Sequence, residues 1–545
     1  MEKEKQNMGK TMCLVFLALF LGTIIGFFLY EREVEMGTGL FLIAIFGVIL
    51  ITIRSVPIAT FLFFLTVPLG TMGIVMDTGF TLRPVYIFAI IFIIAILYDC
   101  SKPDNREQFF KKLYTPIDIP LLLLFTCMVI SVLQTIHLPA NPPIISNRVW
   151  NYPWIKSAGR ILLLSGYIVI FYAFQYILTT KGEIKKWFFK YILIGGLIAI
   201  YGIIALALFI PTGYIVEFNG NRALVDVPDD LPRIKGTEQE PSFFGFYLIT
   251  MIPIIIVLAT TQRVEKIEFY NNKLLAAITV VMSIALILSG ARSALLGFFF
   301  SLITIFLIQR KKESYLQYYK HVVHEILREI KIFFSTKKGK YIASLIVFVI
   351  IFWTSFYWNE IESVIEQGII APTVGTFSNA YGKFWSTKLR FLTYGYALDA
   401  FRQHPFLGIG YENYNFYTGT RVYSGLIHYL KITWPEVNNY PLKILTEHGI
   451  IGFFLFLFFI IVFFYYLITT LKRVKDKFLK ALLEGYIAAF VGIAIILLFT
   501  SSIARPYLWL TFGFAIAAIK VGQTEENQEN KKVKNEDRNK HLTLI

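Results

Sequence analysis

The chain has 545 residues, of which 56% are hydrophobic, 17% aromatic and only 16% charged. No soluble domain of this length needs so many apolar side chains, so the composition excludes a water-soluble protein and predicts a membrane protein. The formal net charge is +16. Because the cations are spread over many short segments instead of one basic surface, nucleic acid is not an expected partner.

Apolar stretches that can cross a bilayer recur along the whole chain. A membrane-spanning helix needs about 20 mainly apolar residues. We predict spans near 12–30, 37–53, 56–76, 84–98, 118–136, 158–179, 190–210, 243–260, 272–289, 293–309, 341–358, 449–470, 481–500 and 505–520. The predicted fold class is an all-α polytopic membrane protein with about 14 transmembrane helices.

The distribution of cations predicts the orientation in the membrane. An even number of spans places both termini on one side, and 35 of the 52 Lys and Arg residues fall in segments that are cytoplasmic if the termini are inside. Cytoplasmic loops carry such an excess of positive charge. We therefore predict that both termini are cytoplasmic and that the first helix is retained in place of a cleaved signal peptide.

The spans and loops divide the chain into five predicted regions. These are an N-terminal transmembrane bundle (1–210), a central transmembrane region (211–358) with an external loop at 211–242, a large external loop (359–440), C-terminal transmembrane helices (441–520) and a cytoplasmic tail (521–545). The tail has few apolar residues, which predicts disorder.

An arginine between two apolar spans is the first candidate for function. Arg292 lies in LSGARSALLG (288–297) on the external face, where most cations are missing. A cation near hydrocarbon is costly and marks a functional site, and its guanidinium group suits a phosphate oxygen pair. Snorkelling of the side chain from a helix end is the alternative interpretation.

The external loop 211–242 collects further charges directly before a span. Arg233 and Glu240 lie in RIKGTEQEPSFFGFYL (233–248), and Pro241 is suited to the first turn of the next helix. Glu240 would then be a helix cap or an ion-pair partner. Accepting a proton from a hydroxyl group of a substrate is a less favoured role for it.

The large external loop contains most of the remaining polar candidates. The spacing of apolar residues in 387–403 predicts an amphipathic helix, with Arg390 near its N-terminal end, which would lie over the membrane as a lid. HPFLGIGYENY (404–414) follows, and NNYPLKILTEHGIIG (438–452) leads into the next span. His404, His428 and Glu436 also lie in this loop, although histidines near a membrane interface are commonly anchors.

The sequence predicts no metal and no other cofactor. A metal site on the external face would need clustered carboxylates. The only acidic pair there, Asp229-Asp230, lies in a Pro-flanked loop whose composition is typical of a solvated turn. The three cysteines show no metal-ligand spacing.

Four segments together resemble the O-antigen ligase and polymerase superfamily of bacterial membrane glycosyltransferases. They are RIKGTEQEPSFFGFYL, LSGARSALLG, the Arg390 helix with HPFLGIGYENY, and NNYPLKILTEHGIIG, and they occur in the family's order over the C-terminal half. The resemblance implies a membrane glycosyltransferase (GT-C-like) architecture with a cavity open to the bilayer. It also implies transfer of a glycan from undecaprenyl diphosphate to an acceptor hydroxyl, without a metal, with Arg233, Arg292 and Arg390 as contacts to the diphosphate.

One departure from the family concerns the base. Ligases often have His-Asn where this chain has Asn438 and Asn439, and an amide cannot accept the proton. The substitutes predicted from the sequence are His428, His404, Glu436 and Glu240, in that order.

The sequence therefore leaves three functions open. The missing histidine favours a polymerase of lipid-linked repeat units over a ligase that attaches finished glycan to lipid A core or another acceptor. A flippase or transporter of lipid-linked sugar is the non-enzymatic alternative, disfavoured because we find no internal repeat. The expected partners are lipid-linked oligosaccharide, a glycan or lipid-linked acceptor, membrane lipids, and chain-length regulator and flippase proteins, at the external face of the bacterial cytoplasmic membrane.

Overall fold

The fold is known from a computed structural model of the full chain. The residues that it describes are 52, 54–69, 74–75, 81–102, 109, 111–138, 152–212, 217–218, 221–222, 224–225, 232–267, 269–318, 320–321, 324, 385–421 and 436–543.

Helices dominate the described part of the chain. In chain order they are α1 (Val56–Thr66), α2 (Pro84–Cys100), α3 (Asp118–Ser131), α4 (Pro153–Ile177), α5 (Lys181–Thr212), α6 (Pro241–Ile249), α7 (Ile252–Glu265), α8 (Asn272–Leu288), α9 (Arg292–Gln309), α10 (Trp385–Gln403), α11 (Tyr414–Arg421), α12 (Tyr440–Arg473), α13 (Lys477–Leu497) and α14 (Pro506–Thr543). A 3-10 helix, Val132–His137, continues α3.

Short antiparallel strand pairs occur in the loops. They are β1 (Ile74–Val75) with β2 (Thr81–Leu82), β3 (Glu217–Phe218) with β4 (Asn221–Arg222), and β5 (Leu224–Val225) with β6 (Arg233–Ile234). Each strand has two residues, so the strands shape the loops and form no layer of the fold.

Among the described residues, seven stretches of helix are long and apolar enough to cross a membrane. They are Asp118–Ile136, Pro153–Ile177, Lys181–Phe209, Pro241–Glu265, Arg292–Gln309, Tyr440–Arg473 and Lys477–Leu497. The shorter apolar helices α1, α2 and α8 also lie at predicted spans. The prediction of a multi-pass, helical membrane protein is therefore confirmed. The total of about 14 spans and the orientation stay predictions. The predicted spans 12–30 and 341–358, and all of 37–53 except residue 52, lie outside the described residues.

Two kinds of packing hold the helices together. Buried aromatic rings of α1, α2 and α4 stack on one another, with ring centroids 5.4 Å apart for Phe63 and Phe92 and for Phe64 and Phe174. Elsewhere small residues let backbones approach, as membrane helices commonly require. Ser301 of α9 donates to Ala488 O of α13 at 2.9 Å, beside Gly492, where a Cβ atom would lie 2.3 Å from the Ser301 hydroxyl.

The chain divides into two compact units, residues 1–305 with 396–545 and residues 306–395. The second unit includes the end of α9 and the start of α10, where Arg390 lies. The last helix, α14, continues to Thr543 through the segment for which composition predicts disorder. The first part of this segment contacts α12, because the side chains of Arg473 in α12 and Glu526 in α14 lie 3.8 Å apart.

Candidate functional site

The hairpin between α8 and α9 is held by an arginine from the preceding loop. Arg233 donates from Nε to Ser289 O at 2.9 Å and from Nη2 to Gly290 O at 2.8 Å. Gly290 has a φ of +57°, and a Cβ atom there would lie 3.0 Å from Arg233 Nε. Glycine therefore permits both the turn and the close approach of the guanidinium group. The structure thus joins RIKG and LSGARS, two segments about 56 residues apart in the sequence.

Arg292 is the first residue of α9, beside this hairpin, and its side chain is exposed. Burial and the positive charge of Arg292 lower the pKa of the Arg233 guanidinium, and the carboxylate of Glu240 acts in the opposite direction. Among the described residues, no carboxylate lies within 4 Å of either guanidinium group. Two cations therefore lie close together without a bound counter-charge at a helix N-terminus, which itself favours anions.

The two glutamates after Arg233 have different environments. Glu240 is the exposed N-cap residue of α6, with Pro241 at the first helical position. Its carboxylate accepts a hydrogen bond from the Ser242 hydroxyl at 3.0 Å and none from the helix backbone. Glu238 is 1% exposed. Burial raises the pKa of Glu238 to about 7, although the positive charges of Arg505 and Arg83 act in the opposite direction.

The two glycine-containing segments of the large loop interlock through their backbones. Helix α12 is broken at Gly449, whose φ is +64° and ψ −165°. The freed carbonyl groups of Thr446 and Glu447 accept hydrogen bonds from Ile409 N at 3.1 Å and Gly410 N at 3.0 Å. In the other direction, Ile450 N donates to Pro405 O at 2.8 Å. Buried backbone groups at a helix break need such replacement partners, and HPFLGIGYENY supplies them.

Replacing Gly449 with alanine should destabilise this junction. A Cβ atom there would lie 2.3 Å from the backbone carbonyl of Phe406. The combination of φ and ψ at Gly449, which is essentially restricted to glycine, adds about 1–3 kcal/mol for another residue. We expect a lower Tm in detergent. Gly166→Ala is the control, because a Cβ atom there meets nothing within 4 Å and alanine favours a helix interior. Equal Tm values for the two variants would contradict the interlock.

The interlocked loops contribute to a buried cluster of charges. Lys443 donates to Glu412 Oε1 at 2.6 Å, and Lys156 donates to the Glu412 carbonyl at 2.6 Å. Glu447 accepts from Glu412 N at 2.9 Å. Arg160 Nε lies 3.9 Å from Glu412 Oε2, and its side chain is 41% exposed. The cluster joins α4, the loop before α11, and α12.

Glu412 is the centre of this cluster. Burial opposes its charged form, but the positive charges of Lys443, Arg160 and Lys156 outweigh burial and lower the pKa of Glu412 to about 2. Its φ of +60° is uncommon for a non-glycine residue. Because its amide, its carbonyl and its carboxylate all have partners, the surrounding contacts hold this backbone conformation in place.

The other residues predicted from the sequence are placed as follows. His404 is half-buried after α10, with its ring centroid 6.3 Å from that of Tyr417. Glu436 accepts a hydrogen bond from Ser501. Asn438 is half-buried, and Asn439 caps α12 by accepting from Leu442 N at 3.0 Å. His428 lies outside the described residues.

Arg390 belongs to the second unit, and it lies half-buried on α10 (Trp385–Gln403). The helix appears where residue spacing predicts one at 387–403. The backbone carbonyl of Arg390 accepts a hydrogen bond from the Thr393 hydroxyl at 2.9 Å. The role of this helix as a lid stays a prediction, and so does the role of Arg390 as a phosphate contact.

Sequence reasoning did not single out Lys156, Arg160, Glu412, Lys443 or Glu238. Lys156 and Glu412 are 256 residues apart, and no local pattern links them. In the described part of the chain, no group of three or more His, Cys, Asp or Glu side chains is arranged to hold a metal ion.

Comparison with known families identifies the region that contains these elements. Residues 277–457 match the model of the O-antigen ligase family. The resemblance to the O-antigen ligase and polymerase superfamily is confirmed over this part of the chain. The O-antigen ligase match includes the hairpin, the Arg390 helix and both interlocked loops, and the segment with Arg233 and Glu238 precedes it. No curated protein shows significant similarity to the chain.

Proposed function

We propose that this protein is a membrane glycosyltransferase that polymerises undecaprenyl-diphosphate-linked repeat units of a surface polysaccharide. The reaction would take place at the external face of the bacterial cytoplasmic membrane. The O-antigen ligase match supports the coarser statement, a membrane enzyme of the ligase or polymerase type. The choice of polymerase, lipid carrier and membrane face is our inference.

The observation that carries the proposal is the pair of arginines at the hairpin. Arg233 and Arg292 lie close enough for the charge of Arg292 to act on Arg233, and no described carboxylate lies within 4 Å of them. Bringing two like charges together is unfavourable unless an anion binds between them. Guanidinium groups bind phosphate oxygens in pairs, so a diphosphate headgroup suits this site.

The chemistry needs little beyond these cations. As the bond between the sugar and the diphosphate breaks, negative charge develops on the departing oxygen, and preorganised guanidinium groups stabilise it. Attack of the acceptor hydroxyl from the opposite face would invert the anomeric carbon. We propose that the reaction uses no metal and that Arg390 is a third contact to the diphosphate.

The residue that replaces the ligase histidine supports polymerase over ligase. Asn438 stands at the position where ligases often have this histidine, and its amide has no basic group. A chain without this base fits the ligase reaction less well. The ligase is the second candidate, and it is retained because the matched family is described as O-antigen ligase.

Analysis of lipid-linked glycan in a deletion strain tests the proposal. Single repeat units accumulating on the carrier are the expected result. Long, unattached chains on the carrier would indicate a ligase, and repeats trapped on the cytoplasmic face would indicate the transporter alternative. Purified protein in liposomes that contain lipid-linked repeats should lengthen them without added metal ions, and chelation by EDTA should leave the rate unchanged.

A further inference from the structure

A pair of lysines lies on one face of α5. Lys186 and Lys190 are four residues apart, which makes them neighbours on the helix surface. Their ammonium groups lie 5.5 Å and 4.2 Å from the ring centroid of Trp187. That of Lys190 also lies 5.3 Å from the ring of Phe61 in α1. The two cations therefore border the contact between α1 and α5, where aromatic rings attract and hold them.

Neither cation is paired with a carboxylate of the described part of the chain. No described carboxylate oxygen lies within 4 Å of either ammonium group. Glu183, one turn before Lys186, instead accepts hydrogen bonds from Thr179 N at 3.1 Å and Thr180 N at 3.2 Å. Like charges four residues apart destabilise a helix, so this face of α5 favours a bound anion.

Both lysines belong to a helical stretch that can cross the membrane, Lys181–Phe209. Lys190 lies about 14 Å along the axis from Lys181, at about 1.5 Å per residue. Helical side chains lean towards the N-terminus of their helix, so the ammonium groups reach back towards the lipid headgroups. Cations at such depth are costly and usually have a partner.

An apolar stripe continues the same face of α5 beyond the lysines. Its members follow Lys190 at steps of three and four residues, and they are Leu193, Leu197, Ile200, Ile204 and Leu208. From Leu197 onwards their exposed fractions are 62%, 41%, 52% and 44%, so no described helix covers this stripe. A cationic end followed by an exposed apolar stripe matches a phospholipid, in which a phosphate group is followed by acyl chains.

We propose that Lys186 and Lys190 bind the phosphate group of an anionic phospholipid whose acyl chains lie along the apolar stripe of α5. Lysine binds phosphate as a point charge, and basic pockets between transmembrane helices on the cytoplasmic side bind anionic headgroups. The predicted orientation places this end of α5 at the cytoplasmic leaflet, whose surface is negative. The site is at the opposite predicted face from Arg233 and Arg292, so it does not depend on the proposed function.

Titration of the full-length protein in dodecyl maltoside with phosphatidylglycerol tests this site, because a lipid that binds the folded state raises its Tm. The double variant Lys186→Gln with Lys190→Gln should bind phosphatidylglycerol about 30-fold more weakly, since each cation contributes about 1 kcal/mol. It should therefore need more lipid for the same rise in Tm. Phosphatidylcholine, whose choline group cancels the phosphate charge, should raise the Tm of the wild type less.

Lys472→Gln with Lys480→Gln is the matched control. It removes the same charge from the predicted cytoplasmic side, at one exposed and one half-buried position outside the α5 face, and should respond as the wild type does. An equal loss in this control would show that net charge, and not the lysine pair, attracts the lipid. An unchanged response of the α5 double variant, or an equal effect of phosphatidylcholine on the wild type, would also overturn the proposal.

Two measurements keep the test decisive if the α5 double variant does not fold. Lys186→Gln alone should need about fivefold more phosphatidylglycerol, and the effect of this lipid on the wild type should weaken as the NaCl concentration rises. A response that is independent of salt would refute a phosphate contact. The assay measures no sugar transfer, so a failure of the proposed function would leave its result unchanged.

Discussion

Replacing Arg292 with lysine is expected to remove most of the transferase activity and leave the fold intact. Lysine keeps the charge but cannot bind two phosphate oxygens with a planar fork. Losing one charge-assisted contact of about 1.5–3 kcal/mol corresponds to about a tenfold to hundredfold slower reaction. Turnover of a lipid-linked repeat in liposomes measures the effect.

The fold should not suffer, because Arg292 contributes little to it. Its side chain is exposed at the first position of α9, where a cation opposes the helix dipole. Arg292→Gln should therefore lose activity with an unchanged or slightly higher Tm. Arg310→Lys, just beyond the other end of α9, is the control and should behave as wild type. Wild-type activity of Arg292→Lys would count against a direct phosphate contact.

The comparison with Arg233 separates binding from structure. Arg233 donates to two backbone carbonyl groups of the hairpin, so the same change to lysine removes contacts of the fold as well as a ligand contact. Arg292 makes its contribution through charge alone in the described structure. Equal losses of Tm in the two lysine variants would contradict this division.

The membrane fold could be predicted because it depends on local properties. Runs of about 20 apolar residues are sufficient to indicate a span, and the order of four short segments indicated the family. The segments HPFLGIGYENY and TEHGIIG were recognised separately. Their interlock was not predicted, because Gly408 and Gly449 allow a backbone contact that leaves no periodic pattern in the sequence.

The buried charges could not be predicted for a related reason. Lys156 lies in a segment rich in aromatic residues that leads from a loop into a helix. This pattern predicts an anchor at the membrane surface. Only folding brings Lys156 to the carbonyl group of Glu412. Glu238 and Glu240 likewise share one short segment. Pro241 predicts the start of a helix, and this made Glu240 the candidate of the two. The turn at Gly236 buries the other carboxylate, and a turn of this kind depends on contacts with Pro68 and the α8–α9 hairpin.

Replacing Lys443 with methionine is expected to destabilise the protein strongly. Its side chain is 5% exposed, and it lies 2.6 Å from Glu412 and 4.0 Å from Glu447. Methionine fills a similar volume but leaves both carboxylates without this counter-charge. Removing one partner of a buried ion pair costs about 3–5 kcal/mol, so thermal unfolding in detergent, followed by tryptophan fluorescence, should show a clearly lower Tm.

A second ion pair of the same length provides the matched control. Lys102 also lies 2.6 Å from its carboxylate, Asp99, but its side chain is 52% exposed. Lys102→Met should change stability by less than about 1 kcal/mol, because water screens exposed pairs. The double variant Lys443→Met with Glu412→Gln should lose less than the sum of the single losses, since each change removes the unpaired charge that the other leaves behind. Additive losses would show that Lys443 and Glu412 do not stabilise each other.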